Sequence, residues 1–117
     1  KIPYKLTSNK NHHNPNDLLE KFCLIEKKNK YPHQLSGGER QRIALIRSII
    51  NNPDIVFADE PTGNLDNKNL YIMIELINEM KINYKTAFVI ATHDKRLCDI
   101  ADKIYDIDDY KLTINKQ

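Results

Sequence analysis

The sequence predicts an α/β fold built around a parallel sheet, and three observations lead to this prediction. Ile55–Ala58 is a continuous apolar run without polar alternation, which is typical of a strand covered on both faces. Thr86–Thr92 repeats this pattern. Between the two runs, apolar residues recur at helical spacing at Leu70, Met73, Ile74, Ile77 and Met80. Strand, helix and strand in this order imply a right-handed crossover between parallel strands.

The composition of the 117 residues is that of one small domain, because 40% of them are apolar. The formal net charge is +2, so there is no electrostatic argument for nucleic acid as the main ligand. No apolar run in the sequence is long enough to span a bilayer. The chain begins at Lys1 within an extended-looking segment, and we expect it to be a piece of a longer protein.

No metal site is predicted from histidine or cysteine spacing. His12 and His13 are adjacent but have no Cys or carboxylate partners at ligand spacing, and we interpret them as part of a polar connector, Lys1–Pro15. Cys23 and Cys98 are far apart in the sequence and also lack metal-type spacing. Reduced thiols are the favoured interpretation.

Two helices are predicted in the first half of the chain, each with a start signal. Asn16 is the expected N-cap of the first helix, which ends in the charged run Glu26–Lys30. Its apolar residues are Leu18, Leu19, Phe22 and Ile25. The second helix, Arg40–Asn51, follows Ser36 and Glu39, whose spacing is that of a capping box.

All three glycines lie in two turns, with Gly37 and Gly38 before the second helix and Gly63 after the first apolar run. A helix start carries a partial positive charge from its free amides, and glycines there would let a phosphate approach the backbone. The alternative is a well-formed helix start without a ligand. The residues alone leave both interpretations open.

Ionisable side chains follow both predicted strands. Asp59 and Glu60 end the first apolar run and His93 follows the second, so neighbouring parallel strands would bring them to one sheet edge. Asp59 would hold Mg²⁺ through water, Glu60 would orient or deprotonate an attacking water, and His93 would donate to a γ-phosphate or fix that water. The alternative is ordinary surface carboxylates and a structural histidine, but the three together favour a site.

The end of the chain predicts further alternation of helix and strand. Asp66 is expected to cap the helix between the two strands. A short helix from Lys95 to about Asp102 follows, and then two strand-like pieces, Ile104–Ile107 and Leu112–Ile114. The repeated order of elements predicts that the parallel sheet continues.

Four motifs make the sequence resemble one family. LSGGE at 35–39 is similar to the signature motif of ATP-binding-cassette (ABC) ATPases, and IVFADE at 55–60 is similar to their Walker B strand. GNLD at 63–66 resembles the D-loop, and His93 resembles the switch histidine. The motifs also stand in the order and spacing of that family.

The resemblance implies a partial P-loop NTPase (RecA-like) parallel sheet with helices on both faces, preceded by part of the ABC helical subdomain. Residues 1–52 would be the helical-subdomain part and residues 53–117 the RecA-like part. Within the family the chain is most similar to the ATPases of the LolD type, which drive lipoprotein release from the inner membrane of Gram-negative bacteria. Macrolide-exporter and cell-division ATPases carry similar motifs.

The same resemblance implies roles for individual residues. Asp59 would coordinate Mg²⁺, Glu60 would act as general base, and His93 would sense the γ-phosphate of ATP. Asp66 would link the two sites of a head-to-tail dimer. The signature residues would contact the nucleotide bound to the opposing subunit, and these are Ser36, Gly37, Gly38 and Glu39. The partners would be a second ATPase subunit and transmembrane permease subunits, at the cytoplasmic face of the inner membrane.

The sequence also departs from the family pattern. A Walker A loop needs G-x-x-x-x-G-K-[ST], and no glycine here is followed by lysine. The Q-loop and the adenine-stacking aromatic are missing too, and Asp109-Tyr110 replaces a common Asp-Gly turn, which predicts a longer turn. We therefore expect the carboxyl-terminal half of an ABC ATPase, which alone binds MgATP negligibly. The alternatives are a non-transport ABC ATPase of DNA repair or translation, or a non-catalytic remnant.

Overall fold

The computed structural model describes residues 13–116. Part of the predicted connector, with His12, lies outside the described residues. The helices are α1 (Pro15–Lys21), α2 (Gly37–Ile49) and α3 (Asn67–Asn83), and the strands are β1 (Ile55–Asp59), β2 (Ala87–Ala91), β3 (Ile104–Asp108) and β4 (Lys111–Lys116). Single 3₁₀ segments occupy Ile25–Lys27, Pro32–Gln34 and Lys95–Ile100. Of the helices in this described part, none is both long and apolar enough to cross a membrane.

The parallel pairing of β1 with β2 confirms the predicted α/β fold. Ile55 lies opposite Ala87 and Asp59 opposite Ala91, with α3 as the connection between the two strands. The prediction that the parallel sheet continues into the strand after the short helix, at Ile104–Ile107, is wrong for residues 13–116. There β3 pairs with β4 in a separate antiparallel hairpin.

The hairpin turn explains the antiparallel pairing of β3 with β4. Asp109 and Tyr110 both have positive φ, 45° and 60°, so two residues are enough to reverse the chain. Such left-handed pairs match the twist of the flanking strands. The predicted longer turn is therefore wrong, because Asp-Tyr adopts the backbone that Asp-Gly adopts more readily.

The hydrophobic core lies on one face of the parallel sheet. Val56 is buried there, and Phe88 and Ile90 pack against the same cluster. The helices and the residue that follows α2 contribute Leu18, Leu19, Leu45, Ile46, Ile49, Ile50, Met73, Leu76, Ile77 and Met80. The opposite face is exposed at Ile55, Phe57 and Val89, so the expectation that both strands are covered on both faces does not hold within the described residues. The reason is that α1, α2 and α3 all contribute to the cluster on the Val56 side.

Helix boundaries follow the capping chemistry, with shifts of a few residues. Asn14, not Asn16, caps α1, because its side chain accepts from the backbone N of Asn16 at 3.0 Å and Pro15 fits the first helical position. This helix ends at Lys21, before Cys23 at φ 56°, so Ile25 lies outside it. Within α3, Leu76 is buried, whereas the predicted core residue Ile74 is only partly buried.

The other helices begin close to their predicted positions. The second helix begins at Gly37, three residues before the expected Arg40. Asp66 caps α3 as predicted, since its Oδ1 accepts from the backbone N of Asn69 at 2.8 Å. The short helix expected at residues 95–102 is a 3₁₀ segment that begins at Lys95 and ends at Ile100.

Candidate functional site

Glu60 and His93 are brought into direct contact at the carboxyl ends of β1 and β2. The Oε1 atom of Glu60 lies 2.6 Å from Nδ1 of His93 and accepts from the His93 backbone N at 3.1 Å. Its Oε2 accepts from Oγ1 of Thr92 at 3.1 Å. The Glu60 backbone N in turn donates to the carbonyl of Ala91 at 2.8 Å. The carboxylate is thus oriented by three groups of the segment that follows β2.

These contacts hold Glu60 in its ionised form. Desolvation raises the pKa of Glu60, but the hydrogen bonds from Thr92 and His93 and the charge of His93 together outweigh it, so the pKa is lowered. An ionised carboxylate is the form that accepts a proton from water. The His93 side chain is 90% exposed, so its other ring edge is open to a ligand.

Asp59 ends β1 one residue before Glu60 and is exposed. Within residues 13–116 there is no group of three or more His, Cys, Asp or Glu side chains that could hold a metal ion by themselves. A Mg²⁺ ion at a nucleotide usually takes one or two protein carboxylates and completes its shell with water and phosphate oxygens. A single accessible carboxylate such as Asp59 therefore fits that donor requirement.

Sequence reasoning missed a polar network beside this pair. Oγ1 of the buried Thr62 donates to Oδ2 of Asp94 at 3.2 Å, and Asp94 accepts from Nε and Nη2 of Arg96 at 2.9 and 3.0 Å. The Arg96 guanidinium is the main reason that the pKa of Asp94 is lowered. With Glu60 and His93, these residues line a cavity of about 330 Å³. The signal available in the sequence was the polar run Thr92–Asp94 after an apolar strand.

The predicted capping box at the start of α2 is present. Oγ of Ser36 accepts from the Glu39 backbone N, and Oε2 of Glu39 accepts from the Ser36 backbone N, both at 3.1 Å. This backbone hydrogen bond is the largest cause of the lowered pKa of Glu39, and Lys27, with Nζ 3.3 Å from Oε1, adds to it. Ser36 and Gly37 are exposed, whereas Gly38 is buried.

Asp66 and the start of α2 form a second cluster, joined through Asn69, whose Oδ1 accepts from Nη1 of Arg42 at 2.8 Å. The Asp66 carboxylate caps α3 and accepts from Nδ2 of Asn69. The two clusters are connected through the turn between β1 and α3, where Nε2 of Gln41 donates to the carbonyl of Gly63 at 3.1 Å. The sequence-predicted residues therefore form two neighbouring groups.

Comparison with known proteins shows the family of this chain. The sequence profile described as "ABC transporter" matches residues 4–63, which is more than half of the chain. This chain belongs to the ABC transporter family. Its α/β fold with a parallel sheet is that of the family's ATP-binding cassettes, as similar solved structures show.

Two similar relatives are named lipoprotein-releasing system ATP-binding protein LolD. The chain is 54% identical over 81 residues to that of Buchnera aphidicola subsp. Acyrthosiphon pisum (strain APS), covering 69% of this chain and 36% of the relative. It is 47% identical over 100 residues to that of Pseudoalteromonas translucida (strain TAC 125), covering 86% and 43%. It is also 42% identical over 96 residues to the putative hemin import ATP-binding protein HrtA of Staphylococcus aureus (strain Newman), covering 82% and 43%.

Solved structures show the same partial coverage. A dimeric ATP-binding cassette in a post-hydrolysis state, bound to ADP and Pi, is 32% identical with a TM-score of 0.72, and the match covers 86% of this chain and 44% of that one. An inward-facing putative metal-chelate type ABC transporter is 25% identical with a TM-score of 0.80, covering 87% and 41%. The chain thus spans about two fifths of the length of the relatives it matches.

Proposed function

We propose that this chain supplies the carboxyl-terminal part of an ATP-binding subunit of an ABC transporter, and that the complete cassette hydrolyses MgATP. The observation that supports this most directly is the contact between Glu60 and His93 at the carboxyl end of the parallel sheet. Residues 1–52 correspond in this proposal to part of the helical subdomain, and residues 53–117 to part of the RecA-like subdomain.

Glu60 is the proposed general base. It is ionised, and Thr92 and His93 fix the orientation of its two carboxylate oxygens. The side chain therefore loses little conformational freedom when it binds the attacking water molecule. Asp59 is the proposed ligand of Mg²⁺, which would neutralise charge on the phosphate oxygens when bound.

His93 is proposed to contact the γ-phosphate. Its Nδ1 faces a carboxylate oxygen at 2.6 Å and must therefore carry a proton. In the neutral ring Nε2 is then an acceptor, so His93 donates to a phosphate oxygen only as the imidazolium.

The remaining site residues are proposed to face a second subunit. The exposed Ser36 and Gly37 lie at the start of α2, where free amides favour an anion, and Gly38 and Glu39 complete that turn. Asp66 would lie at the same dimer interface. Two ATP molecules would then be bound between head-to-tail subunits, as expected from the dimeric state of a similar cassette.

Lipoprotein release is the proposed transport process, because the relatives of highest identity named above carry that description. The partners would be transmembrane permease subunits, contacted from the cytoplasmic face of the inner membrane. Hemin import is the second candidate, since the HrtA relative is 42% identical.

A chimera tests the ATPase proposal. Residues 13–116 are joined to the amino-terminal part of the Buchnera LolD relative, and ATP hydrolysis is measured together with dimer formation in MgATP. In the Glu60→Gln chimera we expect turnover to fall by roughly 10²-fold or more, as is typical for loss of a general base, and ATP-bound dimers to accumulate.

The matched control is Glu75→Gln, which changes an exposed glutamate of α3 and should leave turnover unchanged. A folded, ATP-binding chimera whose turnover is the same with Glu60 and with Gln at that position would contradict the proposal. A folded chimera with no turnover in any variant would favour the non-catalytic alternative.

A further inference from the structure

Asn69 lies where the start of α3 meets one face of α2. Its Oδ1 accepts from Nη1 of Arg42 at 2.8 Å. Its Nδ2 donates to both carboxylate oxygens of Asp66, at 3.0 and 3.2 Å. One amide group therefore has its acceptor bound by α2 and its donor bound by the residue that caps α3.

Gly38 brings α2 against this amide. An ideal Cβ at Gly38 would lie 2.6 Å from Oδ1 and 2.7 Å from Cγ of Asn69, distances that real Cβ atoms do not reach. At Gly37 the nearest atom to such a Cβ is the flexible end of Arg40, at 4.0 Å. The two adjacent glycines thus have different surroundings, and only Gly38 is a point of close approach between helices.

A second hydrogen bond holds the same face of α2 against the segment that leads into α3. Residues 38, 41 and 42 are three and four positions apart and so share one side of α2. Gln41 from this side donates to the carbonyl of Gly63 at 3.1 Å, while Arg42 contacts Asn69. The start of α2 is therefore held against both the turn and the cap of α3.

We propose that Asn69 is a positioning residue that couples the start of α2 to Asp66, so that a displacement of one is passed to the other. Its role in an ATPase cycle rests on the proposed function, in which Ser36, Gly37 and Asp66 all face the partner subunit. The coupling itself depends only on contacts within this chain.

The test follows backbone amide NMR signals in the 117-residue chain without nucleotide. Asp66→Asn keeps a good N-cap residue but replaces one of the two carboxylate oxygens that accept from the side-chain Nδ2 of Asn69. We expect this change to shift the amide signals of Ser36 and Gly37. In the Asn69→Ala background, which keeps the backbone donor to residue 66, these shifts should be lost.

Equal shifts in both backgrounds, or no shift at Ser36 and Gly37 in the parent, would overturn the proposal. If Asn69→Ala does not fold, Arg42→Gln takes its place, because it removes the α2 side of the link and leaves the Asp66 side intact. With this variant the shifts should again be lost. Since no nucleotide is present, the result is independent of whether the chimera hydrolyses ATP.

A stability cycle gives a second measurement with a control in the adjacent residue. Gly38→Ala should lower the urea midpoint of unfolding in the parent and lower it less in the Asn69→Ala background, where the clashes with Oδ1 and Cγ are removed and only the 3.1 Å contact with Cβ remains. Gly37→Ala should shift the midpoint by the same amount in both backgrounds. A midpoint loss for Gly38→Ala that is equal in both backgrounds would contradict the close contact.

Discussion

At Glu60 both the backbone and the side chain are fixed by the strand beside it. The backbone has a φ of 45°, a conformation that costs a non-glycine residue energy. It is nevertheless held by the hydrogen bond from Glu60 to Ala91 and by the contacts of Thr92 and His93 with the carboxylate. This residue therefore reaches its position through tertiary contacts and not through local preference.

The capping box predicts a pH dependence centred on Glu39. Its folded pKa is lowered, so its ionised form stabilises the fold above the ordinary value of 4.5, and this contribution is lost as the pH falls through the lower folded pKa. We expect the free energy of unfolding to fall less steeply below pH 4.5 in Glu39→Gln than in the parent. Urea unfolding at a series of pH values measures this.

Glu75→Gln is the comparison for that series, because Glu75 is exposed on α3. It should retain the steep parental dependence. A Glu39→Gln variant with the parental slope below pH 4.5 would show that the capping carboxylate does not contribute in this way.

The meeting of Glu60 and His93 at one edge of the sheet could be predicted from the sequence, but the residues packed around the candidate site could not. Asp59, Glu60 and His93 follow apolar runs, and the parallel sheet rule brings such ends together. Asn69 gave no signal, because an asparagine in the first turn of a helix is compatible with many contacts. Its meeting with Gly38 depends on how two helices pack, which sequence spacing does not report.

The core face of α3 gives a matched test at the level of the element. Ile77 is 2% exposed and Ile82, on the same helix, is 63% exposed. Ile77→Ala should lower the free energy of unfolding by about 2–5 kcal/mol through lost burial and a residual cavity. Ile82→Ala should change it by about 0.5 kcal/mol or less. Chemical denaturation measures both, and similar losses at the two positions would contradict the described core.

The sequence predicted the caps of α2 and α3, but it predicted Asn16 instead of Asn14 as the cap of α1 and missed a tight turn that depends on the backbone alone. Ser36 and Asp66 cap α2 and α3 as their sequence context indicates. Asp109 and Tyr110 form a tight hairpin turn with positive φ, although neither is glycine or asparagine. Sequence patterns for such turns rely mainly on those residue types, so the sequence predicted a longer turn between the last two strands than the structure has.

The parallel sheet has one face that is apolar and exposed to solvent. Phe57 is 77% exposed there, and Ile55 and Val89 extend the apolar surface. Continuous apolar runs such as Ile55–Ala58 are typical of strands covered on both faces, and the chain spans about two fifths of the length of its relatives. In the proposed complete cassette we therefore expect other segments to cover Phe57.

Phe57→Lys tests whether this face is exposed in the 117-residue chain and covered in a complete cassette. In the 117-residue chain the lysine would remain in water, so the far-ultraviolet circular dichroism and urea midpoint should change little. In the LolD chimera it would bury an unpaired charge, which costs several kcal/mol, and the yield of folded, ATP-hydrolysing protein should collapse. The control is Tyr110→Lys at the fully exposed hairpin turn, which should be tolerated in both. A chimera that accepts Phe57→Lys would contradict the expected covering.

The open sheet face also has a consequence for synthesis on the ribosome. In a cassette whose amino-terminal half precedes these residues, that half leaves the ribosome first, since domains form from the amino terminus onward. Phe57 and Val89 would then leave the ribosome next to an amino-terminal half that has already folded. Translated without such a predecessor, the same strands emerge with their outer face in water, where chaperones bind apolar segments. The order of translation would thus decide whether this face meets its own protein or the folding machinery first.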